Sequence, residues 1–353
     1  MQNPPKHFMS ALAARLLSDA FTVHTDNFDG LRFPELPNGE IQSPIDRQAA
    51  LDTFYWIGEL DEQLEMTYQL LGDNYSKNTL VEVMAYRTLG AQHTKLSRNN
   101  AAYQKAVNDL PSLQTAAKTM PVALLDGWLN RYALNPIGFP IHADLHPLNV
   151  LYTYQLQQYR YDHDGTIVEA MNSDIAIDGG GCWGDTALYL AHKIGPAGKV
   201  YCFEFSPDNL PPLEKNLSAN PTLQSRIQIQ RNALWSKSDE SLSFNPAGPG
   251  TRVGNAGGSF TVKTLNIDDL VSREKLSQVN FIKMDIEGAE LDSLKGAEQT
   301  IRKYKPRLAV TLYHHLRDFV TIPKYLNDLN LGYKFYMDHF SINQEETVLF
   351  ATV

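Results

Sequence analysis

The sequence predicts an α/β fold: a doubly wound sheet of seven strands with an antiparallel last strand, preceded by a mainly helical N-terminal region. Three observations carry this prediction. From Ser173 onward short apolar runs alternate with helical segments, and the first strand breaks into Gly179-Gly180-Gly181 before a helix. The last two apolar runs are joined by the polar turn SINQEE, which is too short for a parallel crossover.

In chain order, Asp46 to Ala106 has helical spacing, with Phe54, Ile57, Leu60 and Leu64, then Val81, Met84, Ala85 and Leu89, filling one face. Gly72 is a stop signal and Ser76 a plausible N-cap, so two helices should meet there. Between Pro111 and Pro147 several prolines, Gly127 and Gly138 break the periodicity, which marks a looser connection and a domain boundary. The expected division is residues 1–140, a connector with short strands over 141–172, and the main domain over 173–353. In the connector, DHDG at Asp162 to Gly165 reads as a hairpin turn leading into Thr166, Ile167 and Val168.

Strands of the main domain are expected at Ile175 to Asp178, Lys199 to Glu204, Ile227 to Arg231, Val279 to Met284, Arg307 to Tyr313, Lys334 to Phe340 and Thr347 to Thr352. The glycine-bearing span Asn245 to Ser259 lacks the lysine of a P-loop and reads as a flexible loop.

Composition narrows the function classes. At 353 residues the chain has ample length for a core, and no apolar run approaches the ~18 residues that span a bilayer. The first residues resemble an amphipathic helix more than a signal peptide, so a cytoplasmic protein without a membrane span is expected. A net charge of −9 with scattered Lys and Arg argues against a nucleic-acid partner. Cys182 and Cys202 both fall in the proposed core and read as small buried thiols rather than a disulfide.

The glycine turn suits two cofactors. GGGCWG fits the dinucleotide pattern G-x-G-x-x-G literally, which keeps a nicotinamide-dependent dehydrogenase open. Asp178 just before the glycines would repel a pyrophosphate but suits the ammonium of a sulfonium cofactor's amino-acid portion. The strand Val200 to Phe203 ends at Glu204, where an acid can grip both ribose hydroxyls.

Asp178 to Thr186, FEFSPDN, NALW, TLNIDDL, FIKMDIEGAELDSLKGA and PRLAVTLYHH together resemble the FkbM family of S-adenosylmethionine-dependent methyltransferases. The similarity runs from about Tyr152 to the C-terminus. It implies a class I methyltransferase with a Rossmann-like sheet, S-adenosylmethionine as cofactor, and O-methylation of a small hydroxylated acceptor such as a sugar, glycan or secondary metabolite. Glu204-Phe205 stands where the family often has Glu-Pro, and Asn266 where an aspartate is common.

Carried over residue by residue, Gly180, Gly181 and Gly184 would form the turn under the cofactor. Cys182, Asp185 and Thr186 would flank it, Glu204 would bind the ribose, and Asn232 with Ala233 would border the adenine. Asp285 and Glu287 lie at the carboxyl edge of the fourth strand, where open α/β sheets bind ligands. Asp285 would face the methyl donor or acceptor, Glu287 would position the acceptor or act as a base, and His314 would accept the acceptor's proton. Glu290 reads as surface or support. Asp285, Glu287 and a histidine could also hold a divalent ion, a reading the sequence does not favour. HADLH, His142 to His146, reads as loop. A noncatalytic cofactor-binding scaffold and an oligomer both stay open.

Overall fold

The computed structural model describes residues 7–25, 27–33, 47–122, 127–254 and 257–353. Five helices come first: α1 (Phe8–Asp19), α2 (Arg47–Glu59), α3 (Asp61–Leu70), α4 (Asn74–Leu89) and α5 (Ala101–Leu113). The N-cap of α4 is Asp73 rather than Ser76, because the extended Asp73 turns its carboxylate onto the Ser76 amide at 2.8 Å. Ser76 lies inside the helix, where its hydroxyl accepts from the Met337 amide. In α2, Ile57 is buried but Phe54 is 53% exposed, so the expected apolar face is only partly covered among the described residues.

The described parts of 111–147 are more regular than their prolines and glycines suggested. Gln114–Pro121, Trp128–Ala133 and His142–Leu145 form a three-stranded antiparallel sheet, with Gly127 and Gly138 at positive φ in the intervening turns. The breakers mark turns between strands, not a loose linker. Of HADLH, expected as loop, His142–Leu145 is the third of these strands and His146 caps the short helical turn after it. Asp144 is fully buried, paired bidentately with Arg131 and also with Lys215. A π-helical segment, Val150–Gln155, precedes the expected hairpin of Tyr161–His163 and Thr166–Val168, which turns through positive φ at Asp164 and Gly165.

The main sheet contains β1 (Ile175–Gly179), β2 (Lys199–Phe203), β3 (Ile227–Gln230), β4 (Phe281–Met284), β5 (Arg307–Thr311), β6 (Lys334–His339) and β7 (Thr347–Thr352). Its order is β3-β2-β1-β4-β5-β7-β6, all neighbours being parallel except β7, which is antiparallel to β5 and β6. The helix α6 (Asp185–Lys193) links β1 to β2.

Alternation along each strand divides the core in two. Ala176, Val200, Phe281 and Phe350 face one cluster with Tyr103, Leu129, Tyr132 and Trp183, whereas Ile177, Tyr201, Ile282 and Leu349 face another with Phe8, Leu64, Leu80 and Met84. Each cluster therefore draws on residues from before and after position 140. Leu71 bridges Phe335 and the Gly72 amide donates to the Phe335 carbonyl at 2.8 Å, so the end of α3 covers the edge strand β6. Among the described residues no helix is long and apolar enough to cross a membrane.

Candidate active site

The turn after β1 is held by backbone contacts that only glycine permits. Gly180 has φ +85°, and a Cβ there would lie 1.9 Å from the Asp285 carbonyl oxygen; one on Gly181 would lie 2.3 Å from Cys202 Sγ. The turn after β4 closes against it, since the Asp285 amide donates to the Gly179 carbonyl at 3.1 Å. Gly184, also at positive φ, then starts α6.

Lys283, on β4, pins this junction. Its ammonium donates to the Gly179 and Gly180 carbonyls at 2.9 and 2.7 Å and lies 3.2 Å from Asp178 Oδ1. Burial opposes its charge, yet the fields of Asp178, Asp285 and Asp185 outweigh burial and raise its pKa. Asp178 is fully buried, and its second oxygen accepts from Thr186 Oγ1 at 2.8 Å. The sequence placed Asp178 beside a cofactor's amino-acid portion; the fold instead turns it inward as the counter-ion of Lys283, and it does not reach the cavity wall.

Above the carboxyl edge of the sheet lies a cavity of about 650 Å³. Among the residues proposed from sequence, Gly180, Cys182, Asp185, Thr186, Glu204, Asn232, Ala233, Asp285, Glu287 and His314 line it, while Gly181 and Gly184 shape the turn behind. Burial pushes the Glu204 carboxyl up to about 7, against the Ser206 and Phe205 amides, both at 2.7 Å, and Asn209 Nδ2 at 3.2 Å. Burial likewise raises the Cys182 thiol well above its ordinary range, so it stays protonated and unreactive. Asp185 is buried, its carboxyl raised by burial despite Thr153 Oγ1 at 2.7 Å.

Asp285 is held from two sides. Tyr159 OH donates to its Oδ2 at 2.8 Å and Tyr313 OH to its Oδ1 at 3.0 Å. Burial, followed by the field of Asp285, raises both tyrosine pKa values well above normal, so both remain donors. Glu287 sits at φ +58°, a conformation that costs a non-glycine residue about 1 kcal/mol or more, and is followed by Gly288 at φ +101°. Its Oε1 lies 3.5 Å from His314 Nε2, and its Oε2 lies 3.5 Å from Arg252 Nε.

His314 differs from the base expected from sequence. Its Nδ1 lies 2.9 Å from Glu290 Oε1, and its Nε2 lies 3.5 Å from both Asp285 Oδ1 and Glu287 Oε1. Burial works against its charge, but Glu290, Glu287 and Asp285 overcome it and hold the imidazole pKa well above the usual value. That field favours the protonated imidazole, which has no lone pair to take a proton. Glu290, expected as surface or support, is fully buried and is the main partner of that cation.

Sequence reasoning missed Tyr159, Tyr313, Lys283 and Arg87. Tyr313 and Lys283 stand inside motifs already singled out, where the apolar pattern hid their polar roles. Arg87 sits in a helix 226 residues from the Tyr313 carbonyl it contacts, and no local signal marks it. The span 249–253, read as a flexible loop, forms part of the cavity wall.

Residues 163–335 match the methyltransferase FkbM domain. A hexuronic acid methyltransferase of Haloferax volcanii, AglP, is 32% identical over 137 residues, covering 38% of this chain and 54% of its own. The chain thus spans about half the length of that curated relative. In fold it is similar to the crystal structure of methyltransferase FkbM from Methylobacillus flagellatus KT, at a TM-score of 0.54 and 19% identity, covering 86% of this chain and 62% of that one.

Proposed function

This chain belongs, through its residues 163–335, to the FkbM methyltransferases, and from that premise we propose that it is an S-adenosylmethionine-dependent O-methyltransferase acting on a sugar hydroxyl. The observation that carries the reading is the convergence of Glu204, the Gly180 turn, Asp285 and Glu287 on one cavity at the carboxyl edge of the sheet. The name of the Haloferax relative, a hexuronic acid methyltransferase, supports a sugar as acceptor. A cytoplasmic location belongs to the same reading and is supported by two unpaired cysteines, Cys182 and Cys202.

The cavity suits the cofactor in its donor set. Glu204 Oε1 is filled by the Phe205 and Ser206 amides, so its Oε2, which accepts from Asn209 Nδ2, would take a ribose hydroxyl. Ala233 and Asn232 would border the adenine. With Asp178 spent on Lys283, Asp285 is the acid that would meet the ammonium of the amino-acid portion. When bound, S-adenosylmethionine supplies an electrophilic methyl group on a sulfonium.

The chain's own residues hold and align. Tyr159 and Tyr313 fix Asp285 from two directions, and its amide's bond to the Gly179 carbonyl fixes the backbone of the same residue. Glu287 accepts the proton of the acceptor hydroxyl at a carboxylate oxygen, a task that protonated His314 cannot perform. His314 stands instead as a cation among three carboxylates. The ligand atoms of Asp285, Glu290 and His314 lie within 4.8 Å of one another, a spacing that would also suit a divalent ion.

Calorimetric titration with S-adenosylhomocysteine and, separately, NADH tests the cofactor, and transfer of an isotopically labelled methyl group to sugar acceptors tests the reaction. Tight binding of S-adenosylhomocysteine with label in an ether product is expected. Binding of NADH without S-adenosylhomocysteine would overturn the proposal.

A further inference from the structure

Among the described residues the cavity wall carries one arginine, Arg87, with no carboxylate partner. Arg32 is paired with Glu345 and Glu346, Arg252 with Glu287, and Lys283 with Asp178. Arg87 is only 8% exposed, and among the described residues it has no carboxylate partner. Its Nη2 donates to the carbonyls of Gln344 and Tyr313 at 2.8 and 3.3 Å, its Nε is buried without any acceptor, and its guanidinium carbon lies 5.5 Å from the centre of the Phe319 ring. Burial pushes its pKa down to about 10, with nothing opposing the shift. A guanidinium offers five N–H donors in a fork that matches a carboxylate, and a desolvated one without a counter-ion is costly to keep. A protein retains such a group on a cavity wall when a ligand completes it.

We propose that the methyl acceptor carries a carboxylate and that Arg87 binds it. The inference rests on the methyltransferase reading and narrows its acceptor to a sugar acid. Two carboxylates could meet Arg87, that of the acceptor and that of the donor's amino-acid portion, and the sheet order favours the first. Glu204 follows β2, whereas Tyr313 follows β5 and Gln344 lies in the β6–β7 turn, with β1 and β4 between them. Three strand spacings put Arg87 about 14 Å from the ribose end, beyond the Gly180 turn and Asp285. Glu345 and Glu346, the acids nearest in sequence to Gln344, both pair with Arg32, as Asp29 does, and neither pairs with Arg87.

The test uses the full chain saturated with S-adenosylhomocysteine and titrated with p-nitrophenyl β-D-glucuronide, its methyl ester and the neutral glucoside. The acid should bind about 10–100-fold more tightly than either neutral probe, as expected for charge-assisted hydrogen bonds to a buried arginine. In Arg87→Met that preference should fall to within about threefold, and in Arg87→Lys it should be partly kept. Affinity for S-adenosylhomocysteine should stay within about twofold in both variants. Equal binding of acid and ester by the unaltered protein, or binding of none of the probes, overturns the inference. So does an Arg87→Met variant that loses S-adenosylhomocysteine affinity while keeping its preference for the acid, which would assign the arginine to the donor. Methyl transfer to neutral sugars alone would sink this inference and leave the methyltransferase reading standing, whereas failure to bind S-adenosylhomocysteine at all would remove both.

Discussion

Replacing Glu204 by glutamine keeps the side-chain shape and removes a charge that burial disfavours. The carboxyl pKa rises from an ordinary 4.5 to about 7. At about 1.4 kcal/mol per pH unit, the ionised form costs the fold roughly 3 kcal/mol. The sign follows from the raised value: the cost is fully present above pH 7 and is relieved as the pH falls from 7 toward 4.5. Glutamine would place an amide NH₂ against Asn209 Nδ2 and lose about 1 kcal/mol of hydrogen bonding there, while the Phe205 and Ser206 amides keep their acceptor. The net gain is about 2 kcal/mol at pH 8.5, which for a chain of 353 residues raises the melting temperature by about 3 °C. Loss of charged hydrogen bonds to the ribose should weaken S-adenosylhomocysteine about 10–150-fold. Thermal melts at pH 8.5 and pH 5, paired with calorimetry, check both halves. The stabilisation should shrink toward pH 5. A variant that melts no higher than the parent at pH 8.5 and binds donor product equally well would refute the reasoning.

Three further outcomes follow from the same geometry. Lys283→Met leaves Asp178 buried without a counter-charge and should destabilise the fold by about 3–5 kcal/mol in urea denaturation, an effect that an unchanged midpoint would contradict. Gly180→Ala drives a Cβ toward the Asp285 carbonyl and should weaken S-adenosylhomocysteine by about tenfold or more; Gly138→Ala, strained in φ but open in space, should bind normally. The loss of donor affinity expected below pH 7 belongs to Glu204, so it should persist in His314→Asn; its disappearance there would assign that titration to His314.

The strands were legible because each is announced by residues within a few positions of one another. Ile175 to Asp178 is an apolar run broken by glycines, and SINQEE is too short for anything but an antiparallel return, as β7 shows. Glu204 was legible for the same reason: a strand end followed by a helix puts an acid at the carboxyl edge. The strands at 114–121, 128–133 and 142–145 were obscured because prolines and glycines at their turns look, without register, like breakers of any structure. Phe54 shows the reverse error, since helical spacing gives a face but not what covers it.

The sequence by itself determined the elements, the glycine turn and the acids at the sheet edge, since each depends on backbone freedom or alternation over a handful of residues. Tertiary structure decided which charges work as pairs and which face the cavity. Asp178 meets Lys283 from 105 positions away, Glu290 and its neighbouring acids favour the protonated form of His314, and among the described residues Arg87 faces the cavity without a carboxylate. Adjacency along the chain does not encode these outcomes. Charge interactions fall with distance in space and grow with burial, and both are set only when helix and sheet pack together.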